Sequence, residues 1–267
     1  MDLRLKDLNV LVTGAGGMIG LAIAQLFLEQ GAKVAAHYNT TTSTLAPLQQ
    51  KYASRLVLIQ ADLTSESAVS TLFDHLTSHH NFHTQILILN HGFRQSADVA
   101  MADMALEQWE STININLTSN FMVARGYLKG LREMGEGERA GAAIVVVGST
   151  AGKVGEAGHG DYSAAKSAMM YGFTLSLKNE IVKIAPRGRV NCVAPGWVKT
   201  PAAEEALDRA VIYRATATIP LKKFARPEDI AHQIVILASP VSGHVSGEVV
   251  VVSGGMEGRL LNLPEDV

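Results

Sequence analysis

Short apolar runs recur along the chain, separated by longer stretches compatible with helices. The runs are Leu8–Thr13, Lys33–His37, Leu56–Gln60, Ile86–Leu89, Ala142–Gly148, Arg189–Val193 and Glu248–Val252. Each is too short for a helix, rich in Val, Ile or Leu, and closed by Gly, Asn, Asp or Ser at or near its end, which predicts strands. Met18–Gln30, Glu66–Thr77, Leu117–Met134, Tyr162–Ile184 and Pro227–Ala238 are the helix candidates between them. The last opens on Pro227, Glu228 and Asp229, which suit a first turn and the positive end of the helix dipole. Strands alternating with helices predict crossover units. The expected fold is α/β, a doubly wound, seven-stranded parallel sheet with helices on both faces, in three layers. A single domain over 1–267 is expected, with a substrate loop or lid near 196–221 and a second mobile loop at Gly135–Gly141.

Composition narrows the setting. In 267 residues, 47% are hydrophobic, enough for a sizeable core, and the net charge of −2 recommends neither nucleic acid nor an anionic membrane as partner. One cysteine, Cys192, excludes an internal disulfide and fits a reducing compartment. Neither a signal core nor an apolar run of membrane-spanning length is seen, so a cytoplasmic location is expected.

The first strand runs into Thr13-Gly14-Ala15-Gly16-Gly17-Met18-Ile19-Gly20, and a helical stretch follows. Glycines there let backbone amides approach a pyrophosphate, and the helix N-terminus adds unpaired N–H groups and about half a positive charge. Between a first strand and a first helix, such a turn predicts a Rossmann-type dinucleotide site. The second strand ends in Tyr38-Asn39-Thr40 without the acid that would bind a ribose 2′-hydroxyl and repel a 2′-phosphate. NADP(H) is therefore favoured over NAD(H), although no Arg or Lys clamps the stretch.

Tyr162 and Lys166, four residues apart at the start of a helical stretch, share one face. Ser149 precedes Tyr162 by 13 residues, at the end of an apolar run. A phenol near pKa 10 is a poor base at neutral pH. An ammonium about 4 Å away would lower that value by at most about three units. Tyr162 could then exchange a proton with a substrate oxygen while a nicotinamide exchanges the hydride and a serine hydroxyl holds that oxygen.

On these motifs the sequence resembles the short-chain dehydrogenase/reductase family over nearly its whole length. The resemblance implies Tyr162 as general acid/base, Lys166 as the group that lowers its pKa and binds the nicotinamide ribose, and Ser149 as substrate anchor. It implies Asn116, rather than nearby Asn114, as the asparagine that kinks a helix and holds a relay water. Cofactor contacts follow at Gly14, Gly17, Met18 and Ile19. Asp62 would bind adenine, beside Leu63, though it also reads as a residue at a helix N-terminus. Asn90 and Gly92 would line the adenosine ribose, and Pro195, Gly196, Val198 and Thr200 the carboxamide and pyrophosphate. A homo-oligomer, tetramer or dimer, packed through the two long helices is implied too.

Four positions depart from the family pattern. Met18 stands at the middle glycine of the turn, displaced in effect to Gly17; Leu89 stands for an Asn, His91 for an Ala, and Gly148 for a first serine. The expected substrate is a small carbonyl or alcohol, in a pocket bounded by Phe93–Ser96, Lys153–Asp161, Trp197 and the lid. Phe93, Trp197 and Tyr213 would form an apolar wall, and Arg94, Glu156 and His159 would grip a polar group, His159 being best placed. Two other functions stay open: an isomerase or lyase using nicotinamide transiently, and a non-catalytic NAD(P)-binding sensor or scaffold.

Overall fold

The structure, a computed structural model, describes residues 2–200, 205, 207–260 and 262. All seven expected runs form strands: β1 (Asn9–Val12), β2 (Lys33–Tyr38), β3 (Leu56–Gln60), β4 (Ile86–Leu89), β5 (Ala143–Val147), β6 (Arg189–Pro195) and β7 (Val249–Val252). They make one all-parallel sheet in the order β3-β2-β1-β4-β5-β6-β7. Residues of alternate parity point to opposite faces. Val10 and Val12 therefore join one core with Ile86, Ile88, Ala143 and Val145, while Leu11, Leu87, Leu89, Ile144 and Val146 join the other. Both sheet faces are covered by buried apolar side chains, which is why these strands read as unbroken apolar runs.

The helices are α1 (Met18–Glu29), α2 (Ala46–Lys51), α3 (Glu66–His80), α4 (Leu106–Ile113), α5 (Ser119–Glu133), α6 (Thr150–Val154), α7 (Gly160–Ala168), α8 (Thr174–Ile181), α9 (Arg209–Thr216) and α10 (Pro227–Ala238). Ile23 and Phe27 of α1 pack with Ile230 and Ile234 of α10 on one face. Leu72 of α3, Val123 and Tyr127 of α5, and Leu177 of α8 cover the other. The chain winds outward from β1 in both directions, so β1 pairs with both β2 and β4. A crevice opens at the carboxyl ends of β1 and β4, where such folds bind ligands.

Two expected helices differ in extent. The one expected at Leu117–Met134 starts at Leu106 and is interrupted by a wide π turn at Asn114–Thr118. The one expected at Tyr162–Ile184 starts at Gly160 and widens likewise at Met169–Phe173. Side chains compete for the backbone at both places. Asn116 Nδ2 donates to the Thr112 carbonyl (3.0 Å), and Thr174 Oγ1 to the Met169 carbonyl (2.7 Å). The Gly135–Gly141 loop carries a short 3-10 turn, with Gly135 N–H donating to Glu138 Oε2 at 2.9 Å. The lid segment is not wholly irregular, since α9 lies within it, capped by Asp208 accepting from Val211 N–H at 2.8 Å. Residues 201–204 and 206 of the expected lid lie outside the described residues.

Arg189, at the head of β6, is buried and serves the far end of α10. Its Nη1 donates to the Leu237 carbonyl (2.6 Å) and its Nη2 to those of Ala238 (2.9 Å) and Ser239 (3.0 Å). One cation thus satisfies the carbonyls a helix leaves unpaired and meets the negative end of its dipole. Arg189→Met is expected to cost about 2–4 kcal/mol. Urea denaturation measures it, and a loss below about 0.5 kcal/mol would refute this role for the cation.

Candidate active site

The turn after β1 is shaped by two glycines that the chain itself requires. Gly14 sits at φ +63°, and a Cβ on Gly20 would come within 2.2 Å of the Gly14 carbonyl oxygen. Gly17 is different: a Cβ there would meet only the Gly14 oxygen, at an ordinary 3.4 Å. It is the N-cap of α1, no side chain caps that helix, and no acid occupies its first turn. The amides at this helix start are thus left for an anion, as a pyrophosphate cradle needs. Met18, at the family's glycine position, is exposed and lines the cleft beside Ile19. The cleft measures about 690 Å³ and is lined also by His37, Asn39, Ala61, Asp62, Leu63, Thr64, Asn90, His91, Gly92, Phe93, Ile115 and Ser119. A dinucleotide therefore fits the residues present, with the turn for its phosphates and Asp62 at the far end.

Thr13 ties the cleft to the sheet. Its hydroxyl donates to the Ile88 carbonyl (3.0 Å) and accepts from the backbone N–H of Asn90 (2.9 Å). Asn90 Nδ2 returns bonds to the carbonyls of Thr13 (2.9 Å) and Gly14 (3.1 Å). Asp62 uses Oδ1 to accept from Thr64 N–H (2.9 Å) and Oγ1 (2.7 Å), bonds that hold its carboxyl below the usual range. It is not the cap of α3; Ser65 is, accepting from Ala68 N–H at 3.3 Å. Tyr38 ends β2, half-buried against the core, and Asn39 and Thr40 follow, Asn39 lining the cleft.

Two histidines at the cleft were not expected to be so constrained. His37 Nδ1 accepts from Gly14 N–H (3.1 Å), so its Nε2 carries the proton given to the Ala61 carbonyl (2.9 Å). His91 bridges Thr13 Oγ1 (2.9 Å) and Ser119 Oγ (2.7 Å) through its two ring nitrogens. Desolvation, then the charges of His37 and Lys166, push His91 down to about 3. Burial also lowers His37. Both rings are neutral supports of the turn.

Farther along the cleft, Gly92 leaves room for two polar side chains, since a Cβ there would lie 2.7 Å from Asn116 Oδ1 and 3.3 Å from Lys166 Nζ. Asn116 exchanges two bonds with the Phe93 backbone, accepting from its N–H (3.0 Å) and donating to its carbonyl (2.8 Å). Its own carbonyl accepts from Asn120 Nδ2 at 2.9 Å. Asn116 is buried in the wide turn. Lys166 is buried too, its Nζ donating to the Val147 carbonyl at 2.9 Å. Asp161 fixes the start of α7: it accepts from Thr112 Oγ1 (2.7 Å), Gln108 Nε2 (3.1 Å) and Tyr162 N–H (2.8 Å).

Tyr162, Lys166 and Ser149 thus meet at one place, but not with the electrostatics expected of them. Lys166 Nζ lies 5.7 Å from the Tyr162 ring centroid and is committed to Val147. Burial raises the phenol's pKa; the Ser149 hydroxyl and the charges of Arg94 and Arg259 pull it down, and Glu156 pushes it up. Desolvation lowers Lys166 to about 8. Ser149 also caps α6, accepting from Ala151 N–H at 3.1 Å.

The expected substrate pocket is rearranged. His159 is not a free grip: it is buried, with Nε2 against Asp98 Oδ1 at 2.8 Å. Arg94 is ion-paired to Glu156 at 2.8 Å. Phe93 and Tyr213 are exposed, and no ring contact joins them to Trp197 among the described residues. Trp197 instead meets the guanidiniums of Arg94 and Arg259. Nothing local in the sequence marks Arg259, and only the fold brings the tail back to α6. Pro195 ends β6, and Gly196 donates to the Val252 carbonyl (2.9 Å) where a Cβ would strike Ser253 at 2.9 Å. Val198 bridges to Ala225 and packs on the core, and Thr200 is half-buried.

Residues 14–257 match a family model described as enoyl-(acyl carrier protein) reductase. The chain belongs to the short-chain dehydrogenase/reductase family. It is accordingly an NAD(P)-dependent oxidoreductase of C=O and CH–OH groups. The 3-oxoacyl-[acyl-carrier-protein] reductase FabG of Vibrio cholerae is 32% identical over 95% of this chain and 99% of its own. The 3-oxoacyl-[acyl-carrier-protein] reductase MabA of Mycobacterium tuberculosis is 32% identical over 93% and 92%. The crystal structure of a short-chain dehydrogenase/reductase (glucose/ribitol dehydrogenase) from Brucella melitensis superposes with a TM-score of 0.80, at 28% identity over 96% of this chain and 99% of that one. Among the described residues no helix is long and apolar enough to cross a membrane.

His91 makes the turn acid-sensitive. Its pKa is about 3 in the folded chain against an ordinary 6.5, so below pH 6.5 the unfolded chain takes up a proton that the folded chain refuses. The stability this gives is complete above about pH 6.5 and is lost as pH falls toward 3, at up to about 1.4 kcal/mol per unit. His91→Ala is expected to flatten the pH dependence of the unfolding free energy between about pH 4 and 6 by close to one proton. Urea titrations at several pH values measure this, and an unchanged slope would refute it.

Proposed function

We propose that this chain is an NADP(H)-dependent reductase of a small organic carbonyl compound, with Tyr162 as proton donor. The observation that carries the reading is the meeting of the Tyr162 phenol, the Ser149 hydroxyl and the buried Lys166, whose Nζ lies against Gly92 in the lining of a cleft that also holds an uncapped helix N-terminus. The bound nicotinamide supplies or accepts the hydride. Tyr162, held protonated at neutral pH by burial, suits delivery of a proton to the oxygen of a carbonyl being reduced. Ser149 holds that oxygen in place. Lys166 keeps one N–H on Val147 and has others to offer a ribose, while Asn116 and Asp161 fix the walls around it. The end of β2 carries no acid, which favours a 2′-phosphate over a bare 2′-hydroxyl. The relatives named as 3-oxoacyl-[acyl-carrier-protein] reductases support the reductive direction.

Tyr162→Phe keeps the ring and loses the proton. Turnover is expected to fall by about 10²–10⁴-fold while NADPH affinity stays within a few-fold. Steady-state kinetics and a fluorescence titration read the two, and undiminished turnover would sink the mechanism. The same titration on the native chain is expected to give tighter binding for NADPH than for NADH; the opposite order would overturn the cofactor assignment.

A further inference from the structure

Arg94 and Arg259 reach the surroundings of Tyr162 from distant parts of the chain, and a single carboxylate answers both. Glu156 Oε1 accepts from Arg94 Nη2 at 2.8 Å, and its Oε2 lies 3.5 Å from Arg259 Nη2. Both guanidiniums lie against the Trp197 ring, 5.8 and 4.9 Å from its centroid. Arg259 Nη2 lies 3.3 Å from Thr150 Oγ1, the residue next to Ser149, which sets the group beside the reacting position. Among the described residues, two guanidiniums against one carboxylate leave one positive charge over. Arg94 is 32% exposed, whereas the side chains of Arg259 and Glu156 are largely shielded from solvent, at 14% and 11%. The Nε and Nη1 of Arg259 are closed off from solvent and meet no acceptor among the described residues. Desolvated donors without acceptors are costly, and a fold that keeps them beside its reacting group has them completed by something else.

We propose that Arg259, assisted by Arg94, receives a carboxylate carried by the substrate itself, so that this enzyme reduces oxo acids as free anions rather than neutral ketones or carrier-bound thioesters. One surplus charge matches one carboxylate, and Glu156 already shows the group that these guanidiniums accept. The inference rests on Tyr162 as the proton donor to the neighbouring carbonyl.

The test compares short straight-chain oxo acids with their methyl esters, each with NADPH and the native enzyme. In parallel, hexanoate and hexanamide are titrated against the fluorescence of Trp197 in a Trp109→Phe background, which leaves it the only indole. Acids are expected to exceed esters in kcat/KM by about ten- to hundredfold, the worth of a hydrogen bond to a charged group. Hexanoate should quench saturably and hexanamide should not. Arg259→Gln should bring both ratios close to one while NADPH still binds. Esters used as well as acids, equal quenching by the two probes, or an acid preference that survives Arg259→Gln would each overturn the proposal. If Arg259→Gln does not fold, the native comparisons decide alone. Selective quenching by hexanoate without NADPH oxidation by any compound would uphold the anion site and refute the reductase reading.

Discussion

The hydroxyl of Thr13 is the point from which the site is hung. It is fully buried at the end of β1, where the sheet reverses its winding, and its bonds draw the carboxyl ends of β1 and β4 together. From that knot the chain leaves in two directions, one into the glycine turn and α1, the other into Asn90 and Gly92. Asn90 then grips the carbonyls of Thr13 and Gly14, which fixes the turn at the separation the crevice needs. A parallel sheet cannot avoid a crevice at its switch point. This sequence turns that necessity into a rigid floor by satisfying each buried polar group there with another.

The same economy explains the two wide helical turns. Asn116 and Thr174 are polar groups placed in an apolar interior, tolerable only if their donors find acceptors. Asn116 meets the Phe93 backbone and the Thr112 carbonyl, and Thr174 meets the Met169 carbonyl. An ideal helix offers no carbonyl to such side chains, because its own amides use them. The π turns at Asn114–Thr118 and Met169–Phe173 loosen the ladder where the polar groups enter.

Strand positions and site motifs were legible in the sequence because both depend on local pattern. Val-rich runs mark buried parallel strands, and the Thr13–Gly20 and Tyr162–Lys166 motifs keep their spacing wherever the chain goes. Helix limits were less legible: α4 carries few apolar residues, and the π turns arise from side-chain bonds to backbone that no periodicity reports. His91 and Gly148 looked like departures and gained physical reasons only in three dimensions. His91 links Thr13 to Ser119, and a side chain at Gly148 would lie 2.6 Å from Met170 Cγ and 2.9 Å from Cys192 Sγ. His159 was misread because closeness in sequence to Tyr162 says nothing of direction, and Asp98 claims it. Arg259 was invisible for the converse reason, being near in space and far along the chain.

Arg259 bears on the phenol as well as on the substrate. An ammonium four residues along a helix seemed sufficient to acidify Tyr162, yet Lys166 Nζ sits 5.7 Å from the ring centroid with one N–H turned to Val147, and burial holds the phenol's proton on. The positive charges that act on Tyr162 are those of Arg94 and Arg259, opposed by Glu156. On the proposed reading, an arriving carboxylate cancels the surplus that favours the phenolate, and so strengthens the hold on the proton until the reacting oxygen becomes basic enough to take it. The neutral phenol then serves as acid in the substrate complex. Binding and proton delivery are in that sense one electrostatic balance, set by three charged side chains around a single hydroxyl.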